Sequence, residues 1–237
     1  MAALKKIAIL TSGGDSPGMN AAIRAVARSA IAKGMEAVGV MRGFEGLLDG
    51  DFRTLGARDV GGIIHRGGTI LQTARSTRFM ELQWQDRAAG NLLDAGIQGL
   101  AVIGGGGSFQ GARELQKRGV AVAGIPGTID NDIAGTELAI GFRTAVETAL
   151  DAVMRLRDTA SSHDRLFVVE VMGGRSGFLA LDVAVAGGAE AVIVPEVQFS
   201  LGRLIDRLHE ARKKGKTHSL IILAEGVMPA QELRDRI

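Results

Sequence analysis

Three short stretches of this 237-residue chain carry residue types that handle charged oxygens: "TSGGDSPG" at 11–18, "IGGGGSFQG" at 103–111 and "PGTIDNDIAG" at 126–135. A glycine turn that runs into a helix start exposes main-chain N–H groups and the positive end of the helix dipole. Together these cradle phosphate. One such turn is a common connector; three in one chain point to a phosphate-handling sheet edge. None matches the GxxxxGK[ST] loop or a complete GxGxxG fingerprint. The third stretch adds Asp130 and Asp132 around Asn131. Two carboxylates this close repel unless a metal ion or a proton-transfer role uses the repulsion. An Asx turn capping a helix fits the same spacing equally well. Asp15, set between Gly14 and Ser16, is expected to hold turn N–H groups, because a carboxylate facing phosphate is repelled.

Isolated cations say less. Arg75 follows Gly67-Gly68, Arg165 opens a strand, and Arg24 and Arg28 lie four apart on one helix face, all patterns that solvated arginines also make. The four histidines show no ligand spacing, and His163 and His218 read as structural. The "RKKGK" run at 212–216 reads as a solvated helix end, where cations suit the dipole.

Something must position these groups, and the pattern says what. Short Val- and Ile-rich runs at 7–10, 37–41, 99–103, 120–125, 166–171, 191–194 and 220–224 read as strands buried on both faces. Helical patterns fall between them at 19–32, 80–95, 109–117, 141–157, 177–186 and 201–214. Phe142, Val146, Ala149, Val153 and Leu156 form the clearest 3.6-residue stripe. Alternation of this kind predicts an α/β fold with mostly parallel sheets, whose ligands sit at the carboxyl ends of the strands. The helix from Gly141 is expected to pass between two α/β lobes. The ending "PAQELRDRI" stops within a helical pattern without a terminating Gly or Asn, as a truncated chain or a frayed last helix would.

Composition narrows the classes. Hydrophobic residues are 46% and charged residues 23%, as in soluble globular proteins. A net charge of +2 offers no basic footprint for nucleic acid. With no cysteine, disulfides and thiolate zinc sites are excluded. Neither a long apolar run nor a signal-peptide pattern appears, so no membrane association is expected and the expected compartment is the cytoplasm.

In order along the chain, "LTSGGDSPGMNAAIRA", "IIHRGGTILQTAR", "VIGGGGSFQGA", "GIPGTIDNDIAGT", "IGFRTAVETALDAV", "RDTASSHDR", "VEVMGG", "AGGAEAVIVPE" and "IILAEG" resemble the bacterial-type ATP-dependent 6-phosphofructokinases. The resemblance implies two Rossmann-like lobes, a nucleotide lobe at 1–140 and a sugar-phosphate lobe at 141–237. It implies phosphorylation of fructose 6-phosphate by ATP with Mg²⁺, as an allosterically regulated step of glycolysis, in a homotetramer. Gly14, Arg75, Ser76, Gly105, Gly106, Gly107 and Ser108 then fall at the ATP site, Arg75 reaching the transferring phosphoryl group. Asp130 is the implied general base toward the sugar 1-hydroxyl, with Thr128 beside it, and Asp132 the implied magnesium-linked carboxylate. Arg165, Met172, Gly173 and Glu225 fall at the sugar phosphate, Arg165 reaching a neighbouring subunit. Arg24, Arg28, Arg157, Gly188, Glu190, Lys214 and Lys216 match an effector site for ADP or phosphoenolpyruvate.

Three departures stand out. Gly106 replaces a magnesium-binding Asp, Gly174 replaces the Arg that follows Met-Gly (with Arg175 shifted by one), and the chain ends before an "HxQRGG" segment. A fragment, a sequence error and a weakened enzyme all fit these departures. Against a pyrophosphate-dependent enzyme stand Gly107 and Gly127, where such relatives carry Asp and Lys. A non-catalytic member, a nucleotide- or effector-binding subunit, is the third reading.

Overall fold

The computed structural model describes residues 4–162 and 165–237; His163 lies outside them. The chain forms two compact units, Met1–Thr128 with Ala139–Gly141, and Ile129–Leu138 with Phe142–Ile237.

In the first unit the order is β1 (Lys6–Thr11), α1 (Met19–Ala32), β2 (Glu36–Val40), α2 (Gly43–Asp49), β3 (Phe52–Thr54), a 3₁₀ turn at Arg78–Met80, α3 (Leu82–Asp94), β4 (Gly99–Gly104), α4 (Gly106–Lys117), β5 (Ala121–Thr128) and β6 (Ile140–Gly141). Among the described residues these strands make one sheet in the order β3-β2-β1-β4-β5-β6, parallel except for β3. The two-residue period of a strand sorts its side chains into two cores. Ala8, Leu10, Val38, Val40, Leu100 and Val102 face Leu47, Leu48, Leu92 and Leu115 on one side. Ile9, Ala37 and Ile103 face Met19, Ile23 and Ala27 of α1 on the other. Because both faces are covered, β1, β2 and β4 read as continuous apolar runs.

The second unit runs α5 (Phe142–Ser162), β7 (Leu166–Val171), α6 (Phe178–Gly187), β8 (Ala191–Ile193), α7 (Leu201–Lys213), β9 (Ser219–Ala224) and α8 (Ala230–Arg236). Its parallel sheet has the order β7-β9-β8. Leu220, Ile222 and Ala224 of β9 face α5 and α6, while Ile221 and Leu223 face Leu204 and Leu233.

The α/β architecture and the parallel strands follow the sequence pattern. Three details depart from it. First, α4 begins at Gly106 rather than at Phe109, so the glycines of the second turn form its first turn. Second, not every strand is buried on both faces. In β5, Ala121, Ala123 and Gly124 are exposed, because β6 pairs only with Gly127 and Thr128 and leaves the rest of β5 as a sheet edge. In β7, Leu166 and Glu170 are exposed because it is an edge strand. Third, α2, β3 and β6 were not expected. The "GFEGLLD" of α2 holds two glycines that read as turns, and strands of two or three residues show no period.

Candidate active site

In the first unit, β1 leads through α1 to β2 on one side, while β4 leads through α4 to β5 on the other. The carboxyl ends of β1 and β4 are therefore a topological switch point, where a crevice opens for ligand. Both glycine turns lie there. Gly13 and Gly14 are exposed after β1, and Gly106 and Gly107 are exposed in the first turn of α4. The strand end at Gly104 packs so closely that a Cβ would lie 2.6 Å from the Ser12 carbonyl oxygen, so only glycine fits. Ser108 is buried beneath, and Gly105 lies over Thr128 at the end of β5. Gly14, Gly105, Gly106, Gly107, Ser108 and Thr128 thus come from three neighbouring strand ends.

Asp15 does not hold this turn. It is exposed and accepts no hydrogen bond among the described residues. Asn20, 1% exposed, does the tethering instead. Its Nδ2 donates to the Arg66 and Gly67 carbonyls at 2.9 and 3.2 Å, and its Oδ1 accepts from Ile70 N–H at 2.8 Å. The Thr73 hydroxyl donates to the Gly13 carbonyl at 2.6 Å, joining the Arg75 segment to the first glycine turn. Asn20 and Thr73 were not singled out by sequence, since their partners lie 46 to 60 residues away. Arg75 is exposed and Ser76 half-buried, its hydroxyl accepting Phe79 N–H at 3.2 Å.

The second unit gathers the carboxylates. Segment 129–138 carries Asp130 and Asp132, with Asn131 between them in the left-handed region at φ 53°. No helix follows until Phe142, so the two acids do not cap one. The Asp130 carboxyl is pushed above its ordinary value, first by burial, then by the charges of Asp132 and Glu225. Glu225 follows β9, and its Oε1 accepts the N–H groups of Gly173 and Gly174 at 3.0 and 2.8 Å. The Ser176 hydroxyl donates to the Asp130 carbonyl at 2.6 Å. Gly174 sits at φ 60°, and a Cβ there would lie 3.0 Å from Asp130 Oδ2. An arginine at that position would be strained and crowded, so the glycine belongs to this loop as it is built. Met172 is exposed beside Gly173. The structure therefore brings Asp130, Gly173 and Glu225 together with Asp132 and Met172 close by.

Arg165 is not among them. It precedes β7, whose six residues place it roughly 20 Å from Met172. The effector candidates also divide. Arg24 and Arg28 are on α1, Arg24 Nη1 donating to the Val60 carbonyl at 2.7 Å and Arg28 exposed. The others share the second unit. Arg157 Nη1 donates to the Gly187 carbonyl at 2.6 Å, beside Gly188, which ends α6 at φ 65°. Glu190 is 8% exposed; its carboxylate accepts from Lys216 Nζ at 2.6 Å and from Leu220 N–H at 2.7 Å. Burial pushes this carboxyl up, but the bonds from Lys216 and Leu220 outweigh it and hold it below the usual glutamate value. Lys214 follows α7, exposed, two residues from Lys216. His218 lies just before β9, with a buried Nδ1 that has no partner among the described residues.

Among the described residues, no three His, Asp or Glu side chains group as a complete metal cage. Mg²⁺ needs no such cage, because it takes one or two carboxylates and completes its shell with phosphate oxygens and water. Asp130 and Asp132, close enough for the charge of one to raise the pKa of the other, are carboxylates of that kind.

Residues 6–237 match the family model described as phosphofructokinase. An ATP-dependent 6-phosphofructokinase of Natranaerobius thermophilus is 53% identical over 234 residues, 99% of this chain and 73% of that protein. One from Streptococcus suis is 52% identical over 99% of this chain and 70% of its own length. The solved phosphofructokinase of Saccharomyces cerevisiae superposes with a TM-score of 0.92 at 38% identity, over 98% of this chain and 36% of the yeast chain. The chain belongs to the phosphofructokinase family.

Proposed function

We propose that this chain transfers the γ-phosphoryl group of ATP to the 1-hydroxyl of fructose 6-phosphate, with Asp130 as the general base. The observation that carries the reading is the Asp130 carboxyl itself: half-buried, backed by Glu225 and raised in pKa. A base of raised pKa is a better proton acceptor than an ordinary aspartate. Phosphoryl transfer otherwise needs alignment and neutralised charge. The exposed N–H groups at Gly14, Gly106 and Gly107 supply main-chain donors to phosphate, and Arg75 adds an exposed cation. Thr128 and Asp132 complete the set, Asp132 holding Mg²⁺ together with the phosphates. Bound there, the ion screens the charge on the phosphate oxygens. The first unit is the nucleotide-binding part and the second the sugar-phosphate part, with Met172, Gly173 and Glu225 facing the sugar.

ATP is favoured over pyrophosphate as the donor. A Cβ at Gly107 meets nothing within 4 Å, while one at Gly127 would lie 3.0 Å from Ile103, leaving a lysine there little room. The homotetramer is supported by α6. Its Phe178, Leu181 and Val185 are 49, 45 and 74% exposed on a helix whose one charged residue is Asp182, as a helix largely covered by another copy would be. Arg165, remote from its own carboxylates, then serves a neighbour's sugar phosphate. Arg24, Arg28, Arg157, Gly188, Glu190, Lys214 and Lys216 form the effector site for ADP or phosphoenolpyruvate. Among the described residues no helix is long and apolar enough to cross a membrane, and the cytoplasm is the compartment we propose.

Gly106 favours a weakened form of the same enzyme, since α4 begins there without a carboxylate. A coupled assay with fructose 6-phosphate, ATP and Mg²⁺ tests the reading. Turnover that Asp130→Asn abolishes supports it. A wild-type chain that forms no fructose 1,6-bisphosphate overturns it.

A further inference from the structure

We propose that Glu45, on α2, is a positioning residue for Arg75, acting through Ser76 and Arg78. The role of Arg75 rests on the function proposed above; the grip of α2 on its segment does not.

Arg75 forms no hydrogen bond or ion pair of its own among the described residues, so its neighbours must set where its main chain sits. They are held with unusual density for an exposed segment. Upstream, the Thr73 hydroxyl is bonded to the Gly13 carbonyl, and the Leu71 carbonyl accepts Arg42 N–H at 2.8 Å. Downstream, α2 grips the 3₁₀ turn at several points. Arg78 Nε donates to Glu45 Oε2 at 2.9 Å, and its Nη2 bonds the same oxygen. Arg78 Nη2 also reaches Asp49 Oδ1 at 3.1 Å. The Phe79 ring lies 4.4 Å from that of Phe44, the residue before Glu45. From the other side, Gln85 of α3 donates to the Phe79 carbonyl at 2.9 Å.

Glu45 is the centre of this grip. Its side chain is 17% exposed against 38% for Arg78, so it is the better sequestered partner of the pair. The bonds from Arg78 hold its carboxyl below the usual glutamate value. Ser76 is the next residue after Arg75, and its hydroxyl receives Phe79 N–H from the same turn. One carboxylate therefore holds the turn that follows Arg75, and that turn holds Ser76. A long, unpartnered guanidinium needs such an anchor if it is to meet a phosphoryl group in one geometry, because misplacement by about an ångström costs up to roughly a hundredfold in rate. The charge on Glu45 matters as well as its shape, since charge-assisted bonds are about twice as strong as neutral ones.

The test compares wild type, Glu45→Gln and the exchanged pair Glu45→Arg with Arg78→Glu, the pair carried together with Asp49→Asn so that no carboxylate at 49 repels the exchanged charge at position 78, all in the full chain. Two readouts are taken: kcat and KM for fructose 6-phosphate and ATP, and amide hydrogen exchange over residues 73–80. The expected result for Glu45→Gln is faster exchange at 73–80 and a fall in kcat of roughly ten- to a hundredfold, with KM for fructose 6-phosphate unchanged. The exchanged pair recovers both. A loss of thermal stability alone, with kcat and exchange at 73–80 as in wild type, overturns the proposal, and so does an exchanged pair that recovers neither. A wild-type chain without turnover counts against the proposed function; unchanged exchange at 73–80 in Glu45→Gln would then still overturn the grip of α2.

Discussion

The two units offer opposite kinds of polar group, built by opposite means. In the first, the groups we propose for a ligand are main-chain N–H groups at Gly14, Gly106 and Gly107, placed by strand ends that are buried on both sides. In the second they are side-chain carboxylates: Asp130 and Asp132 on the segment that follows β5, and Glu225 just after β9. Main-chain donors keep a fixed partial positive charge at any pH. Carboxylates change charge with pH and disturb one another. On the function proposed above, the unit that holds phosphate uses the first device and the unit that accepts a proton uses the second.

The largest expected effect tests the carboxylate side. Asp130→Asn keeps shape and loses basicity, so turnover should fall roughly 10²–10⁴-fold, with little change in sugar binding. Its effect on stability should run the other way. The folded-state pKa of Asp130 is raised, so its contribution to stability is fully present below the unfolded value and is lost as pH rises through the folded one. At neutral pH the charged form is a burden that Asn removes. Melting curves should show Asp130→Asn more stable than wild type at pH 7, with the gain vanishing below the ordinary carboxylate range. Equal curves at every pH would mean that the repulsion among these acids is relaxed.

Next in size is assembly. Val185→Glu places a charge on the apolar face of α6, where Val185 is 74% exposed. Light scattering should show the assembly dissociating, with little change in the far-ultraviolet dichroism of the separated chains. An unchanged assembly would place the contact elsewhere.

Lys216→Met removes the cation that holds the buried Glu190 carboxylate. The cost in stability should be about 1–3 kcal/mol at pH 7. The Glu190 pKa is lowered in the folded chain, so its contribution is present above the unfolded value and is lost as pH falls through the folded one. The difference between wild type and Lys216→Met should therefore shrink in acid; a difference that stays constant would remove the ion pair as its cause.

The smallest effect tests the main-chain side. Gly106 is the first residue of α4, with open space around its Cα. Gly106→Asp should add roughly 0.3–1 kcal/mol by favouring the positive helix end, and should lower the Mg²⁺ concentration needed for half-maximal turnover. Identical magnesium titrations of the two forms would show that a carboxylate at 106 does not reach the ion.

The glycine turns were legible in the sequence because a main-chain site is written locally. Phosphate-facing N–H groups need glycine at the strand end, and those glycines stand next to one another. The apolar runs of β1, β2 and β4 were legible for a similar reason, since burial on both faces leaves no polar residue in them. Asp130 was legible as a candidate through its spacing from Asp132. Its partnership with Glu225 was not, because 95 residues separate two groups whose approach depends on where β9 ends. Asp15 shows the reverse failure: a turn rich in glycine looks as if its one acid must hold it, yet the tie to the distant segment 66–73 is made by Asn20, at the start of α1, and by Thr73. The sequence by itself determined the α/β alternation, the glycine turns after β1 and β4, and the family. Tertiary structure alone decided that Gly106 starts a helix, that Gly174 needs a left-handed backbone beside Asp130, that Arg165 stands far from its own carboxylates and that α2 grips the Arg75 segment. Local pattern records what a residue does to its own stretch of chain. Contacts between distant stretches are set by how the layers pack, and no neighbouring residue encodes them.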